Sequence, residues 1–294
     1  MLYLVIFEIV YSITDVVVSP SIYIHESVYM VFINEKDRIV HKTVLRFFLI
    51  LYCGCFGFSL CVFSIQFYYR YLVILGSKLL KTLNDWRFIF WVLCPLGYGV
   101  IWAVVSSCIL YQTPEANEFV RNVILRDFDM NIDDIIFYGA YFFPKTSDGL
   151  YHLDVRSFVG VTIFWILVIS SLTIILFCGI KCYTRMRSVM TQSTKFRNLQ
   201  NQLFYALLVQ TIIPIVLMHI PVSCLFIFPL FELDVGNMAD ILAVTIALFP
   251  AIDPLPTMFI IKNYRITILE FICSCLVQTI EHSNTHLQDV YALN

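Results

Sequence analysis

Long uninterrupted runs of apolar residues, separated by polar connectors of very different character, dominate the chain. A transmembrane helix needs roughly 20 mostly apolar residues to cross about 30 Å of hydrocarbon. Six segments meet that requirement, at approximately residues 2–22, 44–68, 88–111, 158–180, 203–229 and 239–261. A transmembrane β-barrel would show short segments of alternating hydrophobicity, and these runs are continuous and too long for that. The pattern predicts an all-α, polytopic membrane helix bundle, with residues 1–294 forming a single membrane domain.

Composition points the same way. Hydrophobic residues make up 60% of the chain and charged ones only 14%, with a mean hydropathy of +0.81; soluble domains average about 45–50% and about 25%. A water-soluble fold of this length could not cover that much apolar surface. The first run opens at Met1 without a basic region or a small-residue cleavage site ahead of Glu8 and Asp15. It is therefore read as a retained span rather than a removable signal. The lysines and arginines are dispersed through the connectors rather than massed into a stripe, so nucleic acid is not an expected partner.

Those connectors carry the orientation. Residues 69–87 hold Arg70, Lys78, Lys81 and Arg87 against Asp85 alone, and residues 181–202 hold Lys181, Arg185, Arg187, Lys195 and Arg197 with no acid. Lys/Arg bias marks the cytoplasmic side, which also puts the tail, residues 262–294, in the cytosol. Residues 112–157 carry eight acids against Arg121, Arg126, Lys145 and Arg156, and residues 231–240 have no base, so both are expected outside. One connector opposes this scheme: residues 34–46 contain Lys36, Arg38, Lys42 and Arg46, yet parity puts them outside. Beyond the last span, residues 266–280 are apolar but too short to cross, and fit an interfacial helix along the inner leaflet.

Three features rise above a generic helical bundle. Arg70 follows Phe67, Tyr68 and Tyr69 and precedes Tyr71 at a membrane boundary. Its charge can snorkel to water or bond a neighbouring helix in one packing and release it in another, although a plain boundary anchor fits equally well. Asp253 sits among Pro250, Pro254 and Pro256, which break the helical ladder and free carbonyls that need other partners. An intramembrane acid there is a functional candidate, with capping of the broken helix as the structural alternative. Asp15 is the other deep acid. Pro214 and Pro221, on one face of the fifth span, are compatible with a bend.

Other chemistry is sparse. The ten cysteines lie mostly inside apolar runs, which is neither a disulfide framework nor a zinc site. No metal or cofactor is expected. No Asn-x-Ser/Thr acceptor occurs, and Cys273 and Cys275, just past Arg265, are candidate palmitoylation sites. His-Glu-x-x-His and Gly-x-Ser-x-Gly are both absent, so no enzyme is expected. A small-molecule transporter or channel remains the alternative class, weakened by the lack of an internal repeat.

Taken in order, four groups of residues carry a resemblance: Phe7 through Ser12 with Asp15 and Pro20; Gly57 through Leu60; Phe67 through Tyr71; and Asp253 through Pro256 continuing to Tyr264 and Arg265. With these the chain resembles the nematode seven-transmembrane chemoreceptors of the Str superfamily, particularly its Str and Srj classes. The resemblance implies a seven-transmembrane receptor fold and a G-protein-coupled receptor of sensory neurons for small environmental molecules. Its expected partners are a heterotrimeric G protein, a small-molecule ligand and the lipid bilayer, in the plasma membrane of a sensory cilium.

It implies that Arg70 takes the place of the Arg at the cytoplasmic end of helix three, and Asp253-Pro254 that of the helix-seven motif. Tyr69, Arg70, Tyr71, Asp253, Pro254, Tyr264 and Arg265 then form the switch, and Arg185, Arg187, Lys195 and Arg197 face the G protein. Candidate pocket liners are Phe58, Trp102, Tyr111 and His219. Family members carry a helix before the segment containing Phe7 and Pro20, so the six runs would correspond to helices two to seven. A truncated receptor copy without function is the second alternative.

Overall fold

The computed structural model describes residues 2–36, 41–83, 86, 88–145, 150–188, 212–235, 239–252 and 255–260, with 202, 205, 208–209, 265–267, 269–270 and 273–274. Among these, Lys42–Leu75, Phe88–Ile109, Val155–Arg185 and Ile212–Phe231 are long and apolar enough to cross a membrane. Two shorter apolar helical stretches, Ile9–Val18 and Ala239–Phe249, accompany them. The architecture is a helical membrane bundle carrying a small α/β cap at one end.

Helix α1 (Leu2–Val18) stops short of the hydropathy boundary at residue 22. Ser19 turns into the left-handed region at φ 42° while its N–H donates to Asp15 O at 2.6 Å. Pro20, which has no N–H to continue a ladder, leads the chain into strand β1 (Ser21–His25), and β2 (Val28–Asn34) returns antiparallel. A third strand, β3 (Ile135–Tyr141), pairs with β2 and gives the order β1-β2-β3. Gly139 on β3 is required by this register: a Cβ there would collide with the carbonyl oxygen of Tyr29.

The sheet is apolar on both faces. One face packs on helix α4 (Pro114–Phe128), whose Ala116, Val120 and Ile124 recur every four residues and meet Tyr23, Met30, Phe32 and Phe137. Thr113 caps α4 by accepting from Ala116 N at 3.2 Å, with Pro114 at the first helical position. At the other end of α4 the Tyr23 hydroxyl donates to Asp127 at 2.5 Å. Hydrogen bonds from Arg126 and Tyr23 hold the Asp127 carboxyl down at about 2. That stabilisation is present above the usual carboxylate pKa of about 3.9 and is lost only as pH falls through the depressed value. The opposite sheet face, with Ile22, Ile24, Tyr29, Ile33 and Ile136, joins the core of the bundle.

Because β2 pairs with β3, Asn34 and Glu35 lie beside Ile135 and Asp134 of the acidic connector. Lys42 Nζ sits 2.8 Å from Glu35 and reaches Asp133 O at 3.4 Å. Lys42 thus answers an acid and a carbonyl of the cap.

Helix α2 (Lys42–Leu75) is the axis of the bundle. His41 caps its start and Gly76, at φ 61°, ends it, so it outruns the apolar run at 44–68. Its 34 residues span about 50 Å at about 1.5 Å per residue, more than the hydrocarbon thickness. It is buried through Cys55–Ser64 and packs against α1, α3 (Phe88–Val104), α5 (Val155–Ser188) and, through Phe63 on Phe249, helix α7 (Ala239–Ile252). Further elements are a π-turn at Val105–Ile109, a second at Ile215–His219 leading into α6 (Ile220–Ile227), α8 (Leu255–Ile260), and short 3-10 turns at Lys78–Leu83, Ile132–Asp134 and Phe228–Phe231.

The α2–α3 crossing is close because small residues face each other, a common device between helices in lipid. A Cβ on Gly54 would lie 3.4 Å from Ala103 Cβ, and one on Gly99 would lie 3.0 Å from Gly54 O. At Gly57 the contact is tighter still, since a Cβ would fall 2.5 Å from Trp102 Cβ. Gly57→Ala is therefore expected to destabilise the bundle by about 1–3 kcal/mol through overpacking. Gly97→Ala, which meets nothing within 4 Å, is expected to leave stability unchanged; thermal unfolding of the two purified variants checks the pair.

Candidate functional site

Beneath the sheet lies a cavity of about 60 Å³. Strands β2 and β3 contribute Tyr29, Val31, Tyr138 and Gly139 on its cap side. The bundle side comes from Tyr52, Cys53 and Phe56 of α2, Trp102 of α3, Ser106 of the π-turn, Phe164 of α5, Phe226 of α6 and Ile246 of α7. Among the described residues, no lining side chain carries a charge.

An aromatic chain organises the walls. Trp102 has no room to move toward α2, because its Cβ lies against the bare backbone of Gly57, and its indole stacks on Phe164 at 4.0 Å and 11°. Phe56 leans on the same indole at 5.1 Å, Phe226 on Phe164 at 5.7 Å, and Tyr29 on Phe226 at 5.4 Å. The cap and four helices thus meet through contacting rings. Ser106 hydrogen-bonds the Cys53 thiol. Tyr29 is different: its hydroxyl is buried without a hydrogen-bond partner. Burial also pushes the Tyr29 and Tyr138 phenols upward, so both stay protonated.

Deeper in the bundle a polar knot joins α2, α5 and the π-turn before α6. Ser64 lies within 3.0 Å of the Ser171 hydroxyl, which donates to Leu60 O at 2.8 Å and sits 3.4 Å from His219 Nε2. His219 Nδ1 meets Pro214 O at 3.0 Å, and Ser223 donates to His219 O at 2.6 Å. Pro214 and Pro221 lack the N–H that would continue the ladder here, and the side chains of His219 and Ser223 add bonds to the carbonyls of Pro214 and His219. At the opposite end from the cap, Tyr71 of α2 packs edge-on to Phe177 of α5 at 6.2 Å, and Lys181 Nζ covers the same ring at 5.7 Å. Tyr69 and Arg185 are exposed there, and Arg70 is half-buried.

Of the pocket candidates named from sequence, Trp102 lines the cavity. Phe58 is buried elsewhere, stacked on Phe7 at 4.3 Å. Tyr111 is exposed, with the Arg156 guanidinium 4.5 Å above its ring. His219 belongs to the polar knot. Asp15 is half-buried on α1, and Cys273 is exposed and free. Asp253, Pro254, Tyr264, Lys195, Arg197, Cys275 and the side chain of Arg187 lie outside the described residues. Sequence pattern gave no sign of Tyr29, Tyr138, Phe164 or Phe226. The adjacent apolar strands were the available signal for the first two, while the phenylalanines are indistinguishable from lipid-facing ones.

A polytopic bundle with an aromatic cavity under a small cap, and basic residues at its opposite end, has the layout of a membrane receptor. The family model described as serpentine type 7TM GPCR chemoreceptor Str matches residues 1–269, and the chain belongs to that family of G-protein-coupled chemoreceptors. It is 35% identical over 296 residues to the G-protein coupled receptor str-217 of Caenorhabditis elegans, covering 98% of this chain and 85% of the relative. It is 28% identical over 272 residues to the serpentine receptor class r-10 of the same organism, covering 91% and 79%. A serpentine receptor class J-38, also from Caenorhabditis elegans, is 23% identical over 279 residues, covering 92% and 82%. No solved structure matches the chain. Membership favours the receptor reading over the transporter one and makes the protein a multi-pass membrane protein of a receptor family.

The knot makes a prediction of its own. In a double-mutant cycle of Ser171→Ala and His219→Phe, the losses in thermal stability are expected to be non-additive by about 0.5–3 kcal/mol; additive losses would mean the two side chains act independently.

Proposed function

We propose that this chemoreceptor binds a small molecule in the cavity between Trp102 and the sheet, and that occupancy repacks α2 against α5 so that their far ends engage a heterotrimeric G protein. The observation that supports this best is the shared aromatic chain: the rings that line the cavity belong to the cap, α2, α3, α5 and α6 at once. A ligand that prefers one arrangement of those rings shifts the bundle toward it.

The route downward runs along α2. Ser64 lies about 17 Å beyond Cys53 at about 1.5 Å per residue, where the knot ties α2 to α5. Tyr69, Arg70 and Tyr71 follow at the far end, beside Phe177 and Arg185. The switch reading extends to Asp253, Pro254, Tyr264 and Arg265, and the G-protein-facing surface to Arg187, Lys195 and Arg197. We place the receptor in the plasma membrane of a sensory cilium, with Cys273 and Cys275 as palmitoylation sites against the inner leaflet.

Nucleotide exchange on a purified G protein, measured with the receptor in lipid nanodiscs and a panel of small neutral molecules, tests the reading. Trp102→Ala is expected to raise the half-maximal ligand concentration at least about tenfold by opening the stack. Arg70→Ala is expected to abolish exchange while ligand binding survives. Unchanged responses in both variants would remove the cavity and the α2 terminus from the mechanism.

A further inference from the structure

We infer that Tyr29, on the outer hairpin rather than on any membrane helix, is the specificity-determining donor of this cavity, and that its ligand is a small neutral molecule carrying one hydrogen-bond acceptor on an apolar frame. The inference rests on the cavity being the ligand site.

The first argument is the hydroxyl itself. Tyr29 is 3% exposed, lines the cavity, and its hydroxyl has no hydrogen-bond partner. Buried polar groups are nearly always paired, so an orphan beside a cavity calls for an explanation such as a missing partner. The side chain is also held in place. Its strand pairs with Ile24 on one side and Ala140 on the other, its ring is 5.4 Å from Phe226 and 6.4 Å from Phe142, and Gly139 closes on its carbonyl. The hydroxyl is therefore not free to swing out to water.

The second argument is what else surrounds the space. The Ser106 hydroxyl is taken by the Cys53 thiol, and no lining residue is ionisable as an acid or base at neutral pH. A carboxylate or ammonium ligand would be stranded there without a counter-charge. The phenol, kept neutral by its burial, offers a proton to an acceptor at any physiological pH. Size narrows the class further. A space of about 60 Å³ favours a small ligand.

The probes are a ketone and its hydrocarbon isostere, cyclopentanone and methylenecyclopentane, titrated calorimetrically into the full chain in nanodiscs with empty nanodiscs subtracted. Wild type is expected to bind the ketone about tenfold more tightly, and Tyr29→Phe to bring the two to equal affinity by weakening the ketone alone. Because the hydroxyl has no partner, Tyr29→Phe is also expected to melt no lower than wild type without ligand. A lower melting temperature, or a ketone preference that survives in Tyr29→Phe, overturns the proposal. Equal binding of both probes by wild type, lost in Trp102→Ala, overturns the role of Tyr29 and leaves the cavity standing. Binding of neither probe overturns the ligand class, and if Trp102→Ala also leaves receptor activation unchanged, the cavity reading falls with it.

Discussion

The contact between Gly57 and Trp102 is the constraint on which the rest of the bundle depends. With no Cβ on Gly57, α3 comes close enough for the tryptophan stem to lie on the α2 backbone. In hydrocarbon no hydrophobic force drives helices together, so such close packing supplies much of the association. The same contact sets the indole against Phe164 and through it Phe226. One missing side chain thus fixes both a helix crossing and a cavity wall.

From that wall the structure reads outward in two directions. Toward the cap, Phe226 meets Tyr29, and the hairpin is clamped between the bundle and the amphipathic α4. The loop region is therefore an extension of the core. Toward the basic end, α2 passes the Ser64, Ser171 and His219 knot before Tyr71 reaches Phe177. Here Pro214 and Pro221 interrupt the backbone ladder, and His219 and Ser223 bond carbonyls beside the break.

Much of this was legible in the hydropathy. Four described helices long and apolar enough to cross a bilayer fall on apolar runs, with two shorter apolar stretches beside them, and the groups at Phe7 through Ser12, Gly57 through Leu60, Phe67 through Tyr71 and Asp253 through Pro256 continuing to Arg265 carried the family resemblance. The helix ends were less legible, since His41 and Gly76 extend α2 through residues that hydropathy reads as connector. The sheet was hidden for a physical reason. Both faces of β1 and β2 are buried, so Ile22–Ile24 and Val28–Ile33 show apolar runs without alternation. Helix α4 did announce itself, in Thr113, Pro114 and the spacing of Ala116, Val120 and Ile124, but the acidic charge of its connector masked the pattern. Trp102 stood out as a rare residue in a span; Tyr29 could not, because its significance lies in a bond it lacks.

The central claim is that the ligand sits between the Trp102–Phe164 stack and strand β2. The most direct test is a cryo-EM structure of the receptor with an activating ligand and its G protein bound. The account predicts ligand density bounded by Trp102, Phe226 and Tyr29, with the stack and the α2–α5 contact at Tyr71 and Phe177 both repacked. Density elsewhere, with that aromatic chain unchanged, would contradict it.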